Sequence, residues 1–354
     1  MTISEEAATT LGRVYIQRLI AAVALSGLAL ALTPATPTAA QDFYRGKTIT
    51  VLVGGTAGGG FDTISRIMAS HLGRYIPGEP NFVVRDMPGG GGIVVANHLY
   101  NVAPKDGTTI AYVGPIVVQP LLSPDDKRIQ FDAKKFTWVG SLGVTHSILF
   151  AWHKTPFMSA QDLFQREMVV GGTGAASTTD IYPKVLNSVL GTKFKLITGY
   201  QGSKETLIAI ERGEADGRFN SWDSMKTTSG AWIRDKLVRI LLQASTKRHP
   251  ELPDVPTALE LAKTSEQRQA IEFLFLPSEM GRPVSAPPGI PAEQKALLLG
   301  GFIKLVKDAN FLADAAKAGL EVDGPMGGAE IDKVVERIYA TPPAVVEQVR
   351  KAMQ

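Results

Sequence analysis

Two glycine-rich stretches carry the residues whose types and spacing could do chemistry. The first is GGTAGGGFD, Gly54 to Asp62; the second is GGTGAASTTD, Gly171 to Asp180. Each lies between an apolar, strand-like run and a segment of helical spacing. The unpaired N–H groups of a helix start, with the partial positive end of the helix dipole, favour an anion. Glycine has no Cβ to keep a ligand from the backbone. Thr173, Ser177 and Thr178 add hydroxyls to the second stretch, and Gly174 again permits close approach. The chemistry expected is therefore anion binding. Read structurally, the first loop is a tight turn with Asp62 as a helix cap, and the second is a capped helix start.

Other chemistries fit poorly. A dinucleotide fingerprint starting at Gly58 and Gly60 would need glycine where Thr63 stands, and a phosphate loop on Gly55 and Gly60 would need lysine in place of Phe61. Ser177 is flanked by Ala175 and Thr179 where a nucleophile elbow needs glycines. His71, His98, His146, His153 and His249 are scattered, without metal-ligand spacing, so neither a metal nor a cofactor is expected. His71 falls on an apolar helix face and reads as a core residue. Asp216 and Asp223 flank Asn220 and read as strand-end capping. No nucleophile and base stand together, which favours binding without catalysis.

The elements that must position these loops alternate. TITVLV, NFVVRDM and TTIAYVG read as strands separated by the helices FDTISRIMASHLGRYI and IVVANHLYNV. That order implies parallel strands joined by crossovers. The pattern restarts with SILFAW, EMVVGG, FKLITGY, ADGRFNS and LVRILLQAS as strands, and SAQDLFQR, TTDIYPKVLNSVLG and SKETLIAIERG as helices. Two α/β units imply two lobes, with ligands at the carboxyl ends of the strands. The segment from Pro250 is proline-richer and ends in helices.

Composition narrows the classes further. The 354 residues are 44% hydrophobic and 20% charged with net charge +3, an ordinary globular balance that favours two domains. No Lys/Arg run exceeds two residues, which argues against nucleic acid as a partner. There is no cysteine, hence no disulfide or lipid-anchored N-terminal cysteine. Arg13 and Arg18 precede the apolar stretch from Leu19 to Leu32, and small residues follow to Ala40. This describes a secretory signal peptide over residues 1–40, cleaved near Ala40, rather than a membrane anchor or an N-terminal helix.

Several motifs in order then become informative. DFYRGKTITVLVGGTAGGGFDTISRIMASHL and VVRDMPGGGGIVVANHLYNVAPKDGTTIAYVG are followed by YQGSKETLIAIERGEADGRF, PDVPTALE and RPVSAPPGIP. This series resembles the extracytoplasmic solute-binding receptors of tripartite tricarboxylate transporters, the TctC-like or Bordetella uptake gene family, over nearly the whole chain after residue 40. The resemblance implies a two-lobed periplasmic binding protein of type II architecture, α/β in class, that closes over a small organic carboxylate and delivers it to membrane permease subunits. It also implies a site built from Thr56, Ala57, Gly58, Gly59 and Asp62 of the first loop and Thr173, Gly174, Ser177 and Thr178 of the second. Gly114, Pro115 and Asn220 would border the cleft, and neutral donors rather than arginine clamps would take the anion.

Departures from the family pattern fall at the pocket. The first loop has lost prolines and gained Thr56, Asp86 and Met87 replace an Asn-Arg pair, and Asn220 stands where an aspartate is often found. The last change disfavours an ammonium-bearing ligand. The expected organisation is lobe 1 from 42–146 plus 246–354 and lobe 2 from 147–245, bending near 146–150 and 243–247. The protein is expected to be a monomer, with no cofactor and no metal. A ligand sensor for a membrane signalling partner, and a secreted enzyme on a related fold, are the competing readings.

Overall fold

The computed structural model describes residues 43–353 apart from 115 and 321, so the expected leader, 1–40, lies outside the described residues. Two mixed sheets dominate. The first takes β1 (Thr48–Val53), β2 (Asn81–Asp86), β3 (Thr109–Tyr112), β4 (Thr137–Ser141), β10 (Pro283–Ala286) and β11 (Met326–Gly327), in the order β11-β4-β10-β3-β1-β2. The second takes β5 (Ser147–Trp152), β6 (Met168–Gly171), β7 (Phe194–Ile197), β8 (Gly217–Ser221) and β9 (Val238–Ala244), in the order β7-β6-β8-β5-β9.

Burial explains why these runs became strands. β1 lies between β2 and β3, and Ile49, Val51 and Val53 are fully buried. A strand covered on both faces reads as a continuous apolar run. β2 is the edge strand, and its alternate residues are exposed. Helix α1 (Gly60–Leu72) crosses between them and buries Ile64, Met68 and Leu72 at helical spacing. His71 shares that buried face, as expected. Its Nε2 lies 3.0 Å from Asp314 Oδ2, and its Nδ1 lies 2.7 Å from an Arg74 guanidinium nitrogen.

β1, β2 and β3 are parallel, as their order implied. β4, β10 and β11 add antiparallel pairs, and in the second sheet β5 runs antiparallel to both β8 and β9. Ser147 pairs with Ala244, so the chain enters and leaves the second sheet on adjacent strands.

Among the described residues, the remaining α-helices longer than four residues are α2 (Ile93–Asn101), α3 (Thr178–Leu190), α4 (Ser203–Glu211), α5 (Trp222–Arg234), α6 (Ser265–Phe275), α7 (Ala292–Leu305), α8 (Ala309–Lys317), α9 (Gly328–Tyr339) and α10 (Pro343–Met353). The sequence division grouped everything after 246 with the first sheet. Yet α6 and α10 both pack on α3, which follows β6 of the second sheet. Gln267 Nε2 donates to Val189 O at 2.8 Å, and Lys184 Nζ donates to Met353 O at 2.7 Å. The segment SAQDLFQR forms only a four-residue helix, Asp162–Gln165, whereas α5 follows a stretch read from sequence as strand alone.

Candidate functional site

Four helix starts converge on one cavity of about 250 Å³. The residues preceding α1, α3, α4 and α5 are Gly59, Ser177, Gly202 and Ser221, and all four line it. Pro88 to Gly91, the loop ahead of α2, also line it, whereas the cap and first turn of α2 do not. The volume sits just below the roughly 300–1,000 Å³ usual for drug-sized ligands, so it suits a small metabolite. Each helix start contributes the equivalent of about half a positive charge.

No Asp, Glu, Lys or His is among the described residues of the wall; Arg218 is its one ionised side chain. Arg218 is 3% exposed, and its guanidinium donates to the carbonyls of Phe219 at 2.9 Å and Ser203 at 3.3 Å. Burial lowers its pKa to about 10, partly offset by the charge of Asp180, so it is cationic at neutral pH. Tyr182 also lines the wall; burial raises its pKa, keeping the phenol neutral. Two buried polar atoms of wall residues have no hydrogen-bond partner, Asn220 Nδ2 and Thr145 Oγ1. An unmet buried donor costs about 1–3 kcal/mol until an acceptor arrives.

The sequence candidates separate into two groups. Thr56, Gly59, Thr173, Ser177, Thr178 and Asn220 meet on the cavity wall. Ala57, Gly58, Asp62, Gly114 and Gly174 stand off the wall, and Pro115 lies outside the described residues.

Asp62 is turned into the protein behind its loop. It accepts the Gly58 N–H at 2.8 Å and lies 2.7 Å from Arg66 Nε. Neighbouring Asp86 is pushed above the ordinary carboxylate range by burial and then by Asp62. Asp180 does the same service for the second loop, accepting the Gly174 N–H at 2.9 Å, the Ser177 hydroxyl at 3.1 Å and the Thr198 hydroxyl. Both aspartates are the third residue of their helix, and both brace a glycine of the preceding loop. The strand-end capping expected of Asp216 and Asp223 divides as well: Asp216 accepts the Val169 N–H at 2.8 Å, and Asp223 forms a buried ion pair with Arg282.

Sequence reasoning missed Arg218, Phe61, the loop before α2 and the starts of α4 and α5. Phe61 lines the cavity and packs its ring 4.6 Å from that of Tyr112. The glycine run before α2 was the available signal for one of them; Arg218 gave none, because it reads as one polar position in a short strand.

The two sheets approach each other at this cavity. A Cβ on Gly91 would lie 2.7 Å from the backbone of Ala176 and Ser177, and one on Gly202 would lie 3.1 Å from Thr56 Oγ1. Gln119 Nε2 also donates to Ala176 O at 3.3 Å.

Comparison with known proteins fits this geometry. A protein from Cupriavidus necator described as "UPF0065 protein in gbd 5'region" is 27% identical over 259 residues, covering 70% of this chain and 74% of that protein. Two solved structures share the fold. Rpa4515 of R. palustris, solved with adipate, has a TM-score of 0.65 at 20% identity, covering 86% of this chain and 97% of that one. MatC (Rpa3494) of Rhodopseudomonas palustris, solved with bound malate, has a TM-score of 0.64 at 20% identity, covering 87% and 99%. A solved structure described as "Structure of periplasmic binding protein BugD" shares the fold too, with a TM-score of 0.67 at 18% identity, covering 87% of this chain and 98% of that one. The family model described as "Tripartite tricarboxylate transporter family receptor" matches residues 64–285, and the chain belongs to that family, TctC.

Proposed function

We propose that the cavity captures a small organic carboxylate and that the protein delivers it to a tripartite permease in the membrane. One observation carries this reading: four helix starts surround a space whose described walls hold no carboxylate side chain. An anion gains there, and a cation would meet no side chain of opposite charge. Membership of a receptor family agrees with binding without turnover. Adipate and malate in related structures point to the same ligand class.

Capture would proceed by closure of lobe 2, 147–245 together with α6 and α10, which pack on its α3, on lobe 1, 42–146 plus the rest of 246–354. The adjacent passages at Ser147 and Ala244 support hinges near 146–150 and 243–247. Thr56, Gly59, Thr173, Ser177, Thr178 and Asn220 would touch the ligand. Ala57, Gly58, Gly114, Gly174 and Pro115 would shape its surroundings. The protein would act as a monomer in the periplasm, after removal of residues 1–40.

A thermal-shift screen of mono-, di-, tricarboxylic and aromatic acids, followed by calorimetry, tests this. A true ligand at a hundredfold excess over its Kd adds about 2.7 kcal/mol of stability. The corresponding neutral amide should add nothing. If no acid in the panel raises the melting temperature, the reading fails.

A further inference from the structure

Arg218 is buried, faces the cavity and belongs to none of the ion pairs among the described residues. Asp180, the acid whose charge acts on it, is already occupied with Gly174, Ser177 and Thr198. Carbonyl oxygens alone are poor compensation for a guanidinium taken out of water. If the position served packing only, an apolar side chain would fill it without that cost. Asn220, two residues along the same strand and therefore on the same side, presents Nδ2 with no hydrogen-bond partner. Strand β8 thus carries a donor set of its own, distinct from the N–H and hydroxyl donors at the starts of α1 and α3. The positive charge of Arg218 plus about half a charge from each helix start exceeds what one carboxylate neutralises.

We propose that Arg218 sets the ligand class: it pairs with one carboxylate of a dicarboxylate whose other carboxylate is held by the neutral donors of the two glycine loops. This rests on the reading of the site as a carboxylate receptor and goes beyond it by requiring two acidic groups. Arg218 keeps its charge through the physiological range, so the selection holds wherever both ligand groups are ionised.

Calorimetry on the purified protein with straight-chain dicarboxylates of four to six carbons, and with monocarboxylates of equal length, tests the inference. The wild type should prefer the diacid by roughly fifty-fold or more, as a charge-assisted pair allows. Arg218→Gln should lose at least roughly thirty-fold in diacid affinity and change monoacid affinity by less than about threefold, collapsing the preference. Because the ratio of the two affinities is read within one folded variant, a purely structural role would leave it unmoved. Should Arg218→Gln fail to fold, Arg218→Lys decides: it keeps the charge, loses the planar fork, and should lower the ratio at least roughly fivefold. An unchanged ratio in the folded variant, or equal wild-type affinity for mono- and diacids, overturns the role of Arg218 and leaves the carboxylate reading standing. No binding of either acid by the wild type overturns both.

Discussion

Gly60 opens helix α1 directly against Ser224, in the first turn of α5: a Cβ on Gly60 would lie 3.2 Å from Ser224 Cβ and closer still to its hydroxyl. The two helices follow strands of different sheets, so this glycine lets the halves of the site approach. Gly60→Ala adds a methyl at a helical position, where alanine is intrinsically preferred. The variant should fold, relieving the contact with Ser224 by holding the two halves further apart. Its affinity for the best acid should fall about tenfold, or roughly 1.4 kcal/mol. Adding Ser224→Ala should restore most of the loss. Calorimetry of the single and double variants checks this, and tight binding by Gly60→Ala alone would show that the contact does not matter for capture.

Asn220 offers a donor without a protein partner, and it is 8% exposed. Asn220→Asp replaces that donor with a negative charge in a cavity built for anions. Affinity for a carboxylate should fall at least about tenfold, or 1.4 kcal/mol. Binding of an amino acid relative to its deaminated analogue should improve, because the new carboxylate can pair with an ammonium. Titrating both ligands into both proteins reads the two effects separately.

Much of this arrangement was legible from local pattern. The apolar runs TITVLV and SILFAW became β1 and β5 because strands covered on both faces need no alternation. The two glycine loops were legible because strand, glycine and helix follow one another in the chain. What was hidden depends on long-range pairing. β10 and β11 join β4 from more than a hundred residues away, and no local feature of Pro283–Ala286 specifies that neighbour. Arg218 reads as an ordinary strand position, and its place in the wall follows from α4 starting beside β8. Asp62 was legible as a carboxylate in the first helical turn, but the sequence did not say which way it turns. The Gly58 N–H and Arg66 draw it away from the cavity.

Arg282 and Asp223 form an ion pair in which the residues are only 2% and 7% exposed, linking the segment before β10 to α5. Removing one partner leaves the other charged and buried. Arg282→Met should cost about 3–5 kcal/mol in urea unfolding. The double variant Arg282→Met, Asp223→Asn should recover part of that. A single-variant loss below about 1 kcal/mol, the range of an exposed pair, would mean that water reaches the site.

The two loop braces should be unequal. Asp180 is 2% exposed and accepts several donors, so Asp180→Ala should lower stability by about 3 kcal/mol, the upper range for hydrogen bonds to a charge. Asp62→Ala removes the bond to Gly58 and the partly exposed Arg66 pair, and should cost about 1–2 kcal/mol. Since Asp62 stands off the wall, Ser177→Ala should weaken ligand binding more than Asp62→Ala does. Urea unfolding and calorimetry on the three variants rank them, and the reverse order in affinity would place Asp62 against the ligand.

The pH response follows from Arg218. Its folded pKa, about 10, lies below the ordinary arginine value. Between those values the unfolded chain binds a proton that the folded chain has lost. Stability from this group therefore rises with pH across the window, and the penalty is fully present below it. A bound carboxylate favours the protonated form, so affinity should decline as pH passes 10. With no wall histidine or carboxylate among the described residues, affinity should be flat from about pH 6 to 9 and fall near pH 4, where the ligand's own acid groups take up protons. Kd measured from pH 4 to 10.5 checks the profile; a midpoint near 6.5 would implicate a histidine instead.

The attraction in this cavity is supplied mainly by peptide groups, which every residue carries. No single side-chain replacement can erase it short of unfolding a helix. On the role proposed for Arg218, ligand choice would depend instead on a few wall positions such as 218 and 220. Capture and discrimination are thereby encoded in separate parts of the polypeptide, so mutation is free to redirect what is taken up while uptake itself persists.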